Sequence, residues 1–310
     1  MSTETARRQD APALVGIERI AAAVDFHPEG EDAAVLGAVI AHATGGELLL
    51  AAIEPDRPFV IPGVDRRSMR PQTASMLGRA RDSLTPGARI IVDRDLSIAR
   101  GISRVIDQQH RQLLVCGSSR CGPAGEVSIG RTTRQLLDRV PCSLAIAPRG
   151  LSADRELQFA RIGVGFDGGD ESRAALAVAA TIARGAGAEL LVRGVVDDQL
   201  PSLGWPGWWR GPIREAWREV IGEEVASMRT LIDDAISQLG VPVTAEVKRD
   251  VPAASLSELS GDVDLLVIGS RRWGPLARLL LRGTGEALVH GSRCALLVVP
   301  RPHDDRSDAG

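Results

Sequence analysis

RIAAAVDFHPEGEDAAVLGAVIAHATGGELLLAAIEP, running from Arg19, returns later in the chain as RIGVGFDGGDESRAALAVAATIARGAGAELLVRGVVD, running from Arg161. Asp25 and Asp167 stand 142 positions apart, and Glu47 and Glu189 keep that offset. Further on, QLLVCGSSRCGP from Gln112 parallels DLLVIGSRRWGP from Asp264, and PCSLAIAPRG closes the first half as RCALLVVPRP closes the second. There the offset has grown to 152, as for Cys142 and Cys294. Such self-similarity implies two copies of one folding unit. The ten extra residues must lie between, and LGWPGWWRGPIREAW, around Trp205 to Trp217, is the candidate insertion. The reading divides the chain into domains at 15–150 and 156–302, with 1–14 and 303–310 as flexible termini.

Working outward, each half alternates short apolar runs with helical patterns. Ile20 to Val24, Leu48 to Ile53, Ile90 to Val92, Leu113 to Cys116 and Ser143 to Ala147 are continuous runs, as expected of strands buried on both faces of a parallel sheet. Helical spacing falls over Glu31 to Ala43, roughly Thr73 to Ser83, and Ile98 to Gln109. The second half supplies Ile162 to Phe166, Leu190 to Val196, Thr244 to Val247, Leu265 to Gly269 and Ala295 to Val299. The predicted fold class is α/β: two tandem, doubly wound, Rossmann-like domains, each with five mostly parallel strands flanked by helices.

Composition narrows the function. The 310 residues are 44% apolar with a formal charge of −3 and both signs interspersed, which offers no field for nucleic acid and no polybasic membrane patch. The first residues lack the apolar core of a signal peptide, and no apolar run is long enough to span a bilayer, so a cytoplasmic protein is expected. Cys116, Cys121, Cys142 and Cys294 form no CxxC pair, and the five histidines fall in no metal-ligand pattern, so neither zinc nor redox chemistry is expected.

In an open parallel sheet, ligands lie beyond the carboxyl ends of the strands. Two repeated features fall there: an aspartate ending the opening strand, Asp25 or Asp167, and a glycine-bearing loop after the fourth, GSSRCGPAGEVSIGRTT from Gly117 or GSRRWGPLARLLLRGTG from Gly269. Glycines followed by a helix suit an anion, because backbone N–H groups can approach it. The same residues also serve as plain turn formers and helix caps. The spacing is not that of a Walker loop, and the GxGxxG match at Gly163, Gly165 and Gly168 starts inside a strand, so neither a P-loop kinase nor a Rossmann dehydrogenase is implied.

Carried on these residues, the chain resembles the universal stress protein family twice over. The opening strand ending in Asp, the alanine-rich first helix, the GAELLV strand, and GSRRWGPLARLLL with the closing VVPR all resemble it. The resemblance implies an adenine nucleotide, ATP, held by a loop of the form G-x2-G-x9-G-[ST], with the first-strand Asp and the second-strand backbone on adenosine. In the first half it points to Asp25, Ile53, Gly117 and Gly130, with Arg120 where the second glycine belongs, Arg131 where the hydroxyl belongs, and Thr132 next. In the second it points to Asp167, Val195 and Gly269, with Arg272 and Arg282 as the departures and Gly283 and Thr284 one place late. A side chain at a glycine position takes space a phosphate would use, whereas an arginine could meet phosphate with its planar donor fork. The first half is the better candidate for ATP.

The resemblance also implies that Ser143 to Ala147 pairs with Ala295 to Val299 inside one chain, a pseudo-dimer that leaves room for a further homodimer. Three functions stay open: a nucleotide-responsive stress regulator, a nucleotide-independent interaction module using the tryptophan-rich insertion, and a weak adenine-nucleotide hydrolase. No catalytic pair or triad can be assembled from the repeated residues, so no enzyme is expected.

Overall fold

Leu113–Gly117, Ser143–Ala147, Leu265–Ser270 and Ala295–Pro300 form the middle of the molecule, buried almost throughout, as their unbroken apolar runs require. The computed structural model describes residues 16–25, 27–56, 86–154, 157–199, 210–270 and 284–300, together with Ser75, Leu77, Gly78 and Asp82, all four of them helical. The strands are β1 (Arg19–Ala23), β2 (Glu47–Pro55), β3 (Arg89–Asp95), β4 (Leu113–Gly117), β5 (Ser143–Ala147), β6 (Arg161–Phe166), β7 (Glu189–Val196), β8 (Val243–Arg249), β9 (Leu265–Ser270) and β10 (Ala295–Pro300). The helices are α1 (Pro28–Thr44), α2 (Ile98–Gln108), α3 (Arg131–Leu137), α4 (Asp170–Ala186), α5 (Arg210–Ile236), α6 (Pro252–Leu259) and α7 (Thr284–Leu288).

All ten strands join one sheet, in the order β3-β2-β1-β4-β5-β10-β9-β6-β7-β8. Every pairing is parallel except β5 with β10, where Ala145 lies opposite Leu297. Those two residues are each other's counterparts in the repeat, 152 positions apart. Ala43 and Gly185, counterparts at the 142 offset, also meet: a Cβ on Gly185 would fall 1.5 Å from the Ala43 carbonyl oxygen. Two self-meeting pairs define a pseudo-two-fold axis, so one chain makes an isologous interface with itself. Its two faces carry separate apolar layers, one beneath α1, α4 and α5 and one beneath α2, α3, α6 and α7, each running through both halves.

Local chemistry fixes the helix ends. Pro28 opens α1 with Glu29 and Glu31 in its first turn, and Asp170 and Glu171 open α4, so negative charge meets the positive end of each helix dipole. Both helices stop at a glycine with φ of 66°, Gly45 and Gly187, a conformation that side chains disfavour. The Gln112 side-chain oxygen accepts from the N–H groups of Glu18 and Arg19, and Asp264 accepts from those of Ala160 and Arg161, pinning the entry to β1 and β6 alike.

The halves differ in length at two places rather than one. Leu50 pairs with Ile90 and its counterpart Val192 with Ala245, so β3 and β8 sit 155 positions apart. Thirteen residues are therefore gained before β8, and three are lost again before β9, where α6 spans 8 residues against 11 in α2. The sequence offsets compare only the ends of this stretch and so return the net ten.

Candidate functional site

The parallel registers bring the marked residues to one edge. Ala23 pairs with Ala51 and Ala22 with Val115, so two residues further on Asp25 stands level with Ile53 and Val24 with Gly117. Phe166 pairs with Gly194 and Gly165 with Ile268, which sets Asp167 level with Val195 and Phe166 with Gly269. Each half therefore gathers an acidic strand tip, the second-strand position and the glycine ending the fourth strand. Because β5 and β10 run antiparallel, the two carboxyl edges point in opposite directions along the sheet.

Asp25 is exposed, and its Oδ1 accepts the His27 N–H at 3.0 Å; Asp167 accepts the Gly169 N–H at 2.9 Å. Both carboxylates thus hold the turn into the following helix. The glycines have a similar double meaning. A Cβ on Gly117 would lie 2.0 Å from the Glu29 carbonyl oxygen, and one on Gly269 2.4 Å from the Glu171 carbonyl carbon. Glycine is required there because the first helix of each half starts against the end of the fourth strand. That requirement holds with or without a ligand.

The loop after β4 is bound closely. Ser118 is buried, donates its hydroxyl to the Ala147 carbonyl at 2.7 Å and accepts from the Ser128 N–H. Ser119 N–H donates to the Ser128 carbonyl, and a Cβ on Gly130 would come within 3.7 Å of Ser119. Gly130 is the N-cap of α3; of the residues that follow, Arg131 is exposed, Thr132 half-buried and Thr133 buried. Arg120 crosses the crevice: its Nη1 lies 2.9 Å from His27 Nε2, across 93 positions of sequence. Arg120, His27 and Asp25 consequently share the mouth of the first crevice.

The first loop also reaches the other half. Val127 N–H donates to the Ser292 carbonyl at 2.8 Å, Ile129 N–H to the Val289 carbonyl, and Arg134 Nη2 lies 3.1 Å from His290 Nε2. Arg149, just past β5, bonds the Gly122 carbonyl and lies 3.6 Å from the buried Glu29 carboxylate. In the second half Arg272, Arg282 and Gly283 lie outside the described residues, as do the Thr284 side chain and Trp205, Trp208, Trp209 and Trp273. What is described there is a closure by α5: a Cβ on Gly168, beside Asp167, would meet Leu231 at 3.0 Å, and Trp217 Nε1 donates to the Asp198 carbonyl.

Residue typing of the sequence missed His27, Ser118 and the Arg149–Glu29 pair. His27 could have been found by aligning the halves, since it stands where the second half has Gly169. Beside the first crevice, Asp95 is held down to about 2 by the Ser97 N–H and then by Arg100 and Arg104, against the cost of its burial. Cys116, Cys142 and Cys294 are buried thiols pushed up to about 12 by desolvation, so they stay protonated and unreactive near neutrality. Among the described residues, no cluster of three or more His, Cys, Asp or Glu could hold a metal, and no helix is long and apolar enough to cross a membrane.

Comparison with known proteins agrees with this geometry. A universal stress protein of Mycobacterium tuberculosis is 26% identical over 227 residues, covering 73% of this chain and 74% of the relative. One from Methanocaldococcus jannaschii is 30% identical over 148 residues, 46% of this chain and 84% of that protein. The crystal structure of a universal stress protein from Archaeoglobus fulgidus superposes with a TM-score of 0.64 at 15% identity, covering 91% of this chain and 96% of that one. The Universal stress protein family profile matches at residues 16–148 and again at 158–300, and the chain belongs to that family as a tandem of two such domains.

Proposed function

We propose that this tandem universal stress protein is a nucleotide-responsive regulator, with the first crevice as its adenine-nucleotide site. The observation that carries the reading is Arg120. It replaces an expected loop glycine, yet it reaches over to the His27 ring, whose own backbone N–H is held by Asp25, and so sets a cation at the mouth of the first crevice. Asp25 and Ile53 would hold the nucleoside, while Arg120, Arg131 and the α3 end of the loop would meet the phosphates. ATP would supply negative charge and an occupied crevice rather than a reaction. Since the loop bonds the second half through Val127 and Ile129, its occupancy would be felt at the junction.

The fit is partial in one respect. Where Gly117 and Gly122 lack side chains, the space is taken by Glu29 and Ser128, not left open to a ligand. Binding would accordingly rest on side-chain charge more than on a backbone cradle. Equilibrium dialysis with labelled ATP tests this. Wild type should bind, Arg120→Ala should bind about tenfold more weakly, in line with the loss of a charge-assisted bond, and Asp25→Ala should also lose affinity. No binding at millimolar ATP would overturn the proposal.

One observation favours a second reading, a protein-interaction module. In α5 Val220 is exposed at 50%, three positions after Trp217 in the helix. A pull-down from stressed cells whose partners are lost on Val220→Glu, and kept on Arg120→Ala, would select this reading over the first.

A further inference from the structure

The contact between Arg120 and His27 has only one possible sense. A guanidinium has donors alone, so the 2.9 Å approach of Nη1 to His27 Nε2 requires that nitrogen to offer its lone pair, with the ring proton on Nδ1. Nδ1 lies farther from the same Nη1, at 3.5 Å. In this arrangement the imidazole is neutral. A second proton would remove the acceptor and leave two cations facing each other across the crevice mouth.

The half-buried ring has few charged neighbours. On its own turn the Asp25 carboxylate holds the His27 backbone N–H, and from the loop after β4 comes Arg120. Next along α1, Glu29 is buried and lies 3.6 Å from Arg149, while Glu31 is exposed. Carboxylates and guanidiniums keep their charge between about pH 6 and about pH 7.5, and thiols, such as the exposed Cys121 that follows Arg120, titrate above that range. Imidazole is the side chain whose charge changes within it. At the 142 offset the second half has Gly169 in place of His27, so this ring belongs to the first crevice alone.

We infer that His27 makes nucleotide binding at the first crevice proton-linked: polyphosphate is held best when the ring is protonated and stands with Arg120 as a pair of cations. The inference rests on the nucleotide reading of that crevice. In the empty site a protonated ring opposes Arg120; a phosphate chain set against both offsets the repulsion, so binding ATP takes up a proton. By reciprocity, affinity for ATP rises as pH falls through the titration of the ring, and is weakest above it. A nucleoside without phosphate gains nothing from the second charge, so the proton selects for polyphosphate over adenosine.

Equilibrium dialysis of the full chain with labelled ATP and labelled adenosine, at about pH 6 and about pH 7.5, tests the inference. Relative to His27→Gln in the same buffers, wild type should gain about fivefold in ATP affinity at the lower pH, with adenosine unchanged. Glutamine can still accept from Arg120 but takes up no proton, and the paired measurement removes the titration of ATP itself. Circular dichroism checks that the variant folds. Heteronuclear NMR of the wild type without ligand, at the higher pH, should show His27 as the Nδ1–H tautomer. ATP binding with the same pH dependence in wild type and His27→Gln, an equal gain for adenosine, or the opposite tautomer would overturn the inference and leave the nucleotide reading standing. Absence of ATP binding at both pH values would overturn the two together.

Discussion

The two crevices are built on the same frame and, among the described residues, are met by different side chains. In the first, a basic side chain from the loop after β4, Arg120, spans to His27 in the turn after β1. In the second, the turn has Gly169 in place of His27, and the side chain leaning on it is Leu231 from the long helix α5. Duplication has preserved what the backbone needs, namely the strand-tip aspartate and the glycine against the helix start. Among the described residues, what meets the turn differs: a polar side chain in the first half and an apolar one in the second.

That contrast can be broken at its shared part. Gly117→Ala and Gly269→Ala should each destabilise the chain by about 3 kcal/mol in urea titrations, since the added methyl meets fixed backbone and one element must move. If either half tolerates alanine, the close approach is not a common requirement and the equivalence of the crevices fails.

The next effect sharpens a difference. Asp32 is fully buried in α1 and accepts from the N–H groups of Gly150 and Ser152, so it holds the link between the halves; its counterpart is Ala174, which holds nothing comparable. Asp32→Ala should cost about 2–3 kcal/mol, while Ala174→Ser should stay within about 0.5 kcal/mol. Equal costs in thermal or urea melts would show that the link is not latched at one side.

The strand-entry tethers make a finer comparison, since a carboxylate does in one half what an amide does in the other. Asp264→Ala should cost about 2 kcal/mol and Gln112→Ala about 1 kcal/mol, because bonds to a charged acceptor are the stronger. A reversed order would mean that the two sites are not equivalent in burial.

The smallest effect concerns acid. Asp95 titrates near 2 in the fold against 3.8 for an unperturbed aspartate, so the unfolded chain takes up its proton first as pH falls. The stability this carboxylate gives is present above about pH 4 and is lost on descending toward pH 2. Asp95→Asn should flatten that part of the stability curve; an unchanged slope would assign the acid sensitivity elsewhere.

Much of the site was legible in residue types. Asp25, Asp167, Gly117, Gly269 and Arg120 all sit at strand ends that hydrophobic runs locate, and the structure brings Asp25, Ile53, Gly117 and Arg120 to one edge. The partners were not legible. His27 meets Arg120 from 93 positions away, and Arg149 reaches back to Glu29, 120 positions before it in the chain. Nor did the glycines announce that Gly117 makes room for a helix, because the atom that would clash belongs to a remote turn.

What the amino-acid order determined by itself is the duplication, the α/β class and the identity of the central strands, because burial on both faces of a parallel sheet demands unbroken apolar runs that persist in any copy. The family resemblance anticipated that the two last strands pair; what only the tertiary structure decided is their antiparallel register, Ala145 on Leu297, and the contacts around it, Ala43 on Gly185 and the first loop bonded to Ser292 and Val289. Those contacts join segments far apart in the chain through backbone groups that every residue carries, so they leave no local pattern to read.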